Sequence, residues 1–223
     1  MGEYNSDMST AKSVDWTLYL IADVNYAAGR DLVPLIEEAV RGGVTMVQLR
    51  AKGLETREFL ELATRMASVL NKCSIPLIIN DRVDIVLACG ADGVHLGQDD
   101  GPPDVARTLL GGSKIIGVSV NTLEEAHEAE RLGADYIGLG PIYATTTKDT
   151  ELPVLGPEEL RRMRQKIGIP IIAIGGINAG NAAEVMKAGA AGIAVVSAIL
   201  GAPDARKAAS ELKKKVRTYR REC

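Results

Sequence analysis

Eight short apolar runs recur along the chain, each followed by a stretch with helical spacing, and this alternation restricts the fold more than any other feature. The runs are Thr17 to Ala22, Met46 to Arg50, Pro76 to Asn80, Gly93 to Leu96, Ile115 to Ser119, Tyr136 to Leu139, Pro170 to Ile174 and Gly192 to Val196. They are mostly apolar and often β-branched, as expected of strands covered on both faces. Between the second and third, Phe59, Leu62, Ala63, Met66 and Leu70 share one helical face. Helix starts are also legible. Thr56 reads as an N-cap, Thr122 with Glu125 as a capping box, Pro157 as a first-turn proline and Asn181 as the cap of a short seventh helix. A weak internal repeat places Gly43, Gly90, Gly133 and Gly189 at equivalent points, between a helix end and the next strand. A helix C-cap there needs positive φ, which glycine adopts without a Cβ clash.

Strand–helix alternation calls for a parallel sheet, and eight units favour closure. The expectation is an α/β fold, a single-domain (β/α)8 TIM barrel over residues 14–223 behind a polar leader, residues 1–13. A length of 223 residues suits one such domain. An open doubly wound sheet is the alternative, but its glycine-rich fingerprint is missing after the first strand.

Composition excludes several partners. Aromatics at 4% leave little for stacking nucleic-acid bases, and a net charge of −3 argues against a non-specific polyanion binder. The basic end, Lys213-Lys214-Lys215 with Arg217, Arg220 and Arg221, reads as a solvated helix terminus whose cations complement the helix dipole. Cys73, Cys89 and Cys223 have no metal-ligand spacing, and an odd count fits a reducing cytoplasm. The leader lacks the apolar stretch of a secretory signal, and no run is long enough to span a membrane. No nucleic acid and no membrane are expected as partners.

In a barrel the chemistry sits where the strands end. Those ends supply Gln48, Arg50 and Lys52 from the second strand, Asn80 and Asp81 from the third, and His95, Gln98, Asp99 and Asp100 from the fourth. The fifth gives Ser119 and Asn121, and the sixth opens into a long loop carrying Thr145, Thr146, Thr147 and Lys148. Arg50, Lys52 and Lys148 are cations for phosphate oxygens, and paired carboxylates from adjacent strands suit Mg2+. Together they suit the departure of a diphosphate, whose charge must be stabilised as it forms. Gly175-Gly176 and Val196-Ser197 follow the last two strands, where barrels bind monophosphates on backbone N–H groups. His95 alternates with apolar neighbours and reads as a hydrogen-bonded lining residue; His127 reads as solvated.

These residues resemble the thiamine phosphate synthase family. The motifs are Gln48-Leu49-Arg50-Ala51-Lys52, Asn80-Asp81, Gly93 to Asp100, Gly117-Val118-Ser119, Gly138 to Lys148, Gly175-Gly176-Ile177 and Val196-Ser197. The resemblance spans about Leu18 to Ala198 and is specific when its motifs are taken jointly. It implies a transferase of thiamine biosynthesis whose small-molecule substrates are a hydroxymethylpyrimidine diphosphate and a hydroxyethylthiazole phosphate. Diphosphate would leave first, and the thiazole nitrogen would then attack a pyrimidine-methyl cation. By the same resemblance Gln48, Arg50, Lys52, Asn80, Ser119 and Lys148 would bind the pyrimidine diphosphate, with Arg50, Lys52 and Lys148 acting in catalysis. Asp81 and Asp100 would hold Mg2+, and Thr145, Thr147, Gly176, Val196 and Ser197 would bind the thiazole phosphate. The chain departs from the family in having Ala144 where a proline usually precedes the Thr-x-Thr-Lys run. The thiazole tautomerase branch is the nearest alternative, but its histidine on the fifth-strand side is absent from Ser119-Val120-Asn121. A non-catalytic phosphate-binding barrel is another.

Overall fold

The computed structural model describes residues 14–27, 29–145, 147 and 152–220; the expected leader lies outside them. The strands are β1 (Leu18–Asp23), β2 (Met46–Arg50), β3 (Leu77–Asn80), β4 (Gly93–Leu96), β5 (Ile115–Val120), β6 (Tyr136–Leu139), β7 (Ile171–Ile174) and β8 (Gly192–Val195). All pair in parallel with their sequence neighbours, and β8 pairs with β1 to close the barrel. The helices are α1 (Leu32–Arg41), α2 (Thr56–Lys72), α3 (Val83–Cys89), α4 (Pro103–Leu110), α5 (Leu123–Arg131), α6 (Gly156–Arg164), α7 (Ala182–Lys187), α8 (Ser197–Leu200) and α9 (Ala205–Arg220). Among the described residues none is long and apolar enough to cross a membrane.

The alternation therefore gives the expected barrel, with one addition. The extra helix α8 is a single turn, too short to show a hydrophobic period. Two expected caps differ in detail. Thr56 begins α2 itself, and Glu55 precedes it without a side-chain cap bond. Asn181 does hold the N-cap position of α7, but its side chain makes no cap bond; its Oδ1 accepts from Asn178 N at 2.8 Å and its Nδ2 donates to the Gly176 carbonyl at 3.0 Å. The capping box on α5 is present, with Glu125 N donating to Thr122 Oγ1 at 3.2 Å. The repeat glycines Gly43, Gly90, Gly133 and Gly189 have φ of 112°, 71°, 83° and 102°, the region their position required.

Packing divides into two shells. Residues on the outward faces of the strands meet the helices: Leu18, Leu20, Val47, Leu49, Ile79, Val94, Ile116, Ile137 and Ile193 belong to one core with Ile36, Met66, Leu160 and Leu212. The inward faces form a smaller core of Tyr19, Ile21, Met46, Ile78, Tyr136, Ile172 and Ala194. Tyr136 fits because its neighbour in register, Gly117, has no side chain. A Cβ there would lie 2.1 Å from the Tyr136 ring carbon Cζ. Above this inner layer the inward positions turn polar, at Asp23, Gln48, Arg50, Asn80, His95 and Ser119. That change sets the floor and wall of the site.

Candidate active site

The strand ends surround an open cavity; the non-atom space in and over it, open solvent included, is about 1000 Å³. Its wall includes Gln48, Arg50, Asn80, Ser119, Thr145, Thr147, Gly176, Val196 and Ser197. Nine of the residues singled out in the sequence thus converge on one space, although they come from six different strand ends. Lys148 and Thr146 lie outside the described residues.

One side of the cavity carries ionised side chains of both signs. The register of β1 on β2 places Asp23 opposite Arg50, and the Arg50 guanidinium donates to the Asp23 carboxylate. Asp23 also accepts from Asn25 N at 2.9 Å. Its side chain is 5% exposed and that of Arg50 20%, so the carboxylate is a buried anchor and the guanidinium reaches the cavity. Sequence reasoning passed over Asp23. The available signal was an acidic residue directly after an apolar strand.

Lys52, Asp81 and Asp100 are not among the residues lining the cavity; Lys52 lies two positions after the lining residue Arg50, and Asp81 directly follows the lining residue Asn80. Lys52 Nζ lies 3.4 Å from Asp81 Oδ2. Asp100 Oδ2 accepts from Gly97 N at 2.7 Å. Burial, then the hydrogen bond and charge of Asp100, push the Asp81 carboxyl above its ordinary range, and Lys52 only partly offsets them. Asp81 also holds φ at +64°, a left-handed conformation that aspartate tolerates better than most residues. Asp81 N donates to the His95 carbonyl at 2.9 Å, fixing this turn to β4. Asp99, in contrast, is solvent-exposed.

Two carboxylates held together against their mutual repulsion fit a small hard cation. Mg2+ is commonly bound by one or two carboxylates, completed by water and substrate phosphate. No group of three or more His, Cys, Asp or Glu side chains able to hold a metal occurs among the described residues. A contacting pair such as Asp81 and Asp100 suits Mg2+ better than a metal needing an all-protein cage.

The opposite side is built from backbone. Gly175 and Gly176 have φ of +97° and +63°. Their bare α-carbons let the loop after β6 rest directly on the turn after β7. A Cβ on Gly175 would fall 2.6 Å from Pro141 Cα, and one on Gly176 would fall 2.5 Å from the Ala144 carbonyl oxygen. Tyr143 N donates to the Gly175 carbonyl at 3.0 Å, and Thr147 N donates to Thr145 Oγ1 at 3.2 Å. Ser197, exposed, starts α8, where the first N–H groups have no partner within the helix. Asn121 joins the two sides by donating its amide to the Gly140 carbonyl. His95 is buried and hydrogen-bonded through both ring nitrogens, the lining role its alternation predicted, while His127 is exposed.

Fold and site together define a (β/α)8 barrel with a cation-and-carboxylate rim facing a glycine-rich turn across one cavity. A family model described as thiamine monophosphate synthase matches residues 18–199, and the chain belongs to that family. A thiamine-phosphate synthase of Chloroflexus aurantiacus is 51% identical over 92% of this chain and 95% of its own length. One from Syntrophomonas wolfei is 50% identical over 89% and 95%. Among solved structures, thiamine phosphate pyrophosphorylase from Pyrococcus furiosus superposes with a TM-score of 0.85 at 42% identity, covering 92% of this chain and 98% of that one. A 3-hexulose-6-phosphate synthase at 20% identity and TM-score 0.63 shares the fold alone.

Proposed function

We propose that the chain is a thiamine-phosphate synthase. It would join 4-amino-2-methyl-5-(diphosphooxymethyl)pyrimidine to 4-methyl-5-(2-phosphooxyethyl)thiazole and release diphosphate. The observation that carries this reading is one cavity with two chemically different anion faces. Arg50 and Lys52, beside the Asp81–Asp100 pair, suit a highly charged leaving group. The backbone turn at Gly175-Gly176, with Thr145, Thr147, Val196 and Ser197, suits a monophosphate.

In this reading Gln48, Asn80 and Ser119 orient the pyrimidine, and Arg50, held by Asp23, meets the diphosphate together with Lys52 and Lys148. The C–O bond to diphosphate breaks with its electron pair leaving on oxygen. The thiazole nitrogen then supplies the pair for the new C–N bond to the pyrimidine-methyl carbon. Such a substitution asks for positioning and charge stabilisation rather than a nucleophilic side chain. That agrees with His95 being occupied by Tyr136 and Ser119. Asp81 and Asp100 would hold Mg2+, which when bound supplies positive charge to the departing diphosphate oxygens. A cytoplasmic location fits the free thiols of Cys73 and Cys89.

The test is one assay: both substrates with Mg2+, following diphosphate and thiamine phosphate. Stoichiometric appearance of the two products is expected. No Mg-dependent product above background refutes the reading, and conversion of a thiazole tautomer without diphosphate release would favour the sister activity.

A further inference from the structure

A chain of hydrogen bonds crosses the barrel interior beneath the cavity. Gln48 Nε2 donates to Tyr19 OH at 2.8 Å. Tyr19 OH meets Tyr136 OH at 2.9 Å. Tyr136 OH meets His95 Nδ1 at 2.9 Å, and His95 Nε2 meets Ser119 Oγ at 2.9 Å. The two ends, Gln48 and Ser119, both line the cavity. The three residues between them are buried, with Tyr19 and Tyr136 essentially inaccessible. Among the described residues no buried side-chain nitrogen or oxygen lacks a partner.

Proton counting gives this chain an order. A phenol has one O–H to donate, and a neutral imidazole has one N–H and one bare nitrogen. Tyr19 accepts from Gln48, so its single proton goes to Tyr136. Tyr136 accepts that bond, so its proton goes to His95 Nδ1. Nδ1 is therefore the bare nitrogen, Nε2 carries the proton, and it points at Ser119 Oγ. Ser119 accepts there, and its own O–H is left to turn into the cavity. Burial holds both phenols far above their ordinary titration range, so they remain neutral links.

We infer that this relay has a fixed direction: it holds His95 as the neutral Nε2–H tautomer and commits Ser119 to donate its hydroxyl proton to an acceptor atom on the substrate. Tyr19, Tyr136 and His95 are then positioning residues for a contact none of the tyrosines touches. Gly138 belongs to the same device, since a Cβ there would lie 3.1 Å from His95 Cε1 and crowd the ring. The substrate half of the inference rests on the synthase reading above; the tautomer half does not.

The chain has two histidines, so His127→Gln leaves His95 as the single imidazole. In that protein, labelled with 15N-histidine, proton–nitrogen correlation should show Nε2 protonated and Nδ1 bare at neutral pH. Protonation at Nδ1, or an imidazolium, overturns the relay, because the chain would then run from Ser119 towards Gln48. Tyr136→Phe removes one oxygen and keeps the ring. It should release the tautomer to a mixture and raise KM for the pyrimidine substrate about 3- to 10-fold, the loss of roughly one neutral hydrogen bond. KM for the thiazole should be unchanged. Tyr19→Phe, which cuts the chain one link earlier, should act in the same sense if Tyr136→Phe folds poorly. An unchanged tautomer and unchanged KM in the folded variants refute the positioning role. Absence of diphosphate release in the unsubstituted protein would instead refute the synthase reading, and the tautomer spectrum would still decide the relay.

Discussion

Gly176→Ala separates two effects that a glycine substitution usually mixes. At φ +63° an alanine costs about 1–2 kcal/mol through its Cβ contact with the backbone. That strain alone lowers Tm by roughly 2–8 °C for a chain of this size. The second effect is a collision. The added Cβ would sit 2.5 Å from the Ala144 carbonyl oxygen and 2.8 Å from Tyr143 Cβ, so the loop must withdraw by about an ångström to regain ordinary contact. Thr145 is the next residue along, and Thr147 bonds back to its hydroxyl. A displacement of that size at a substrate-orienting group costs on the order of 100-fold in turnover. Gly90→Ala is the control. Its φ of +71° imposes the same strain, but nothing lies within 4 Å of the new Cβ. Both variants should lose a similar few degrees in a thermal melt, with Gly176→Ala somewhat worse. In the diphosphate-release assay only Gly176→Ala should fall, by about 10- to 100-fold in kcat/KM for the thiazole. Equal kinetics in the two variants would refute the argument that the loop rests on the turn.

Asp81→Asn should abolish the Mg-dependent part of turnover and remove any rise in Tm on adding Mg2+. Without the ion the variant should melt no lower than the parent, since a like-charge contact with Asp100 is lost; a preserved Mg2+-induced Tm shift would refute the carboxylate-pair site. Asp15 gives a pH signature. Burial alone would raise its carboxyl, but the Thr17 hydroxyl and N–H and the Lys213 ammonium outweigh that and hold it at about 2. A depressed folded-state pKa stabilises above the ordinary carboxylate range and loses that contribution as pH falls. The Tm gap between parent and Asp15→Asn should therefore be present at pH 7, shrink below about pH 4 and close near pH 2; a pH-independent gap contradicts it. Lys148→Ala should slow turnover strongly while the far-ultraviolet circular dichroism and the melt stay unchanged, and normal turnover would remove this lysine from the mechanism.

The parts of the fold legible in the sequence are those set by local chemistry. Strands buried on both faces must be apolar throughout, so runs such as Pro170 to Ile174 stood out without any partner being known. Polar residues that break such a run at its end, like Asn80 and Ser119, were legible for the same reason. Tyr19 and Tyr136 were not, because their rings count as apolar filling until closure brings two hydroxyls 117 positions apart within 2.9 Å. Asp23 needed the register of β1 on β2 to become the partner of Arg50. Asn181 was legible as the residue at the cap position, but not the use of its amide, because a cap bond and a clamp on a neighbouring turn draw on the same short side chain and only the path of the Gly175-Gly176 turn decides between them. The single turn of α8 carries too few residues for any period to emerge.

The missing side chain at Gly117 has a consequence for how such a chain can change. The ring of Tyr136 occupies the space a larger residue at 117 would need. Any side chain gained at 117 must be matched by one lost at 136, and the phenol would go with it. Neither position can drift alone: an intermediate with both filled is overcrowded, and one with both emptied has a hollow barrel and a severed link to His95. We expect the two positions to vary together, so that sequence variation at one of these sites is readable from the other.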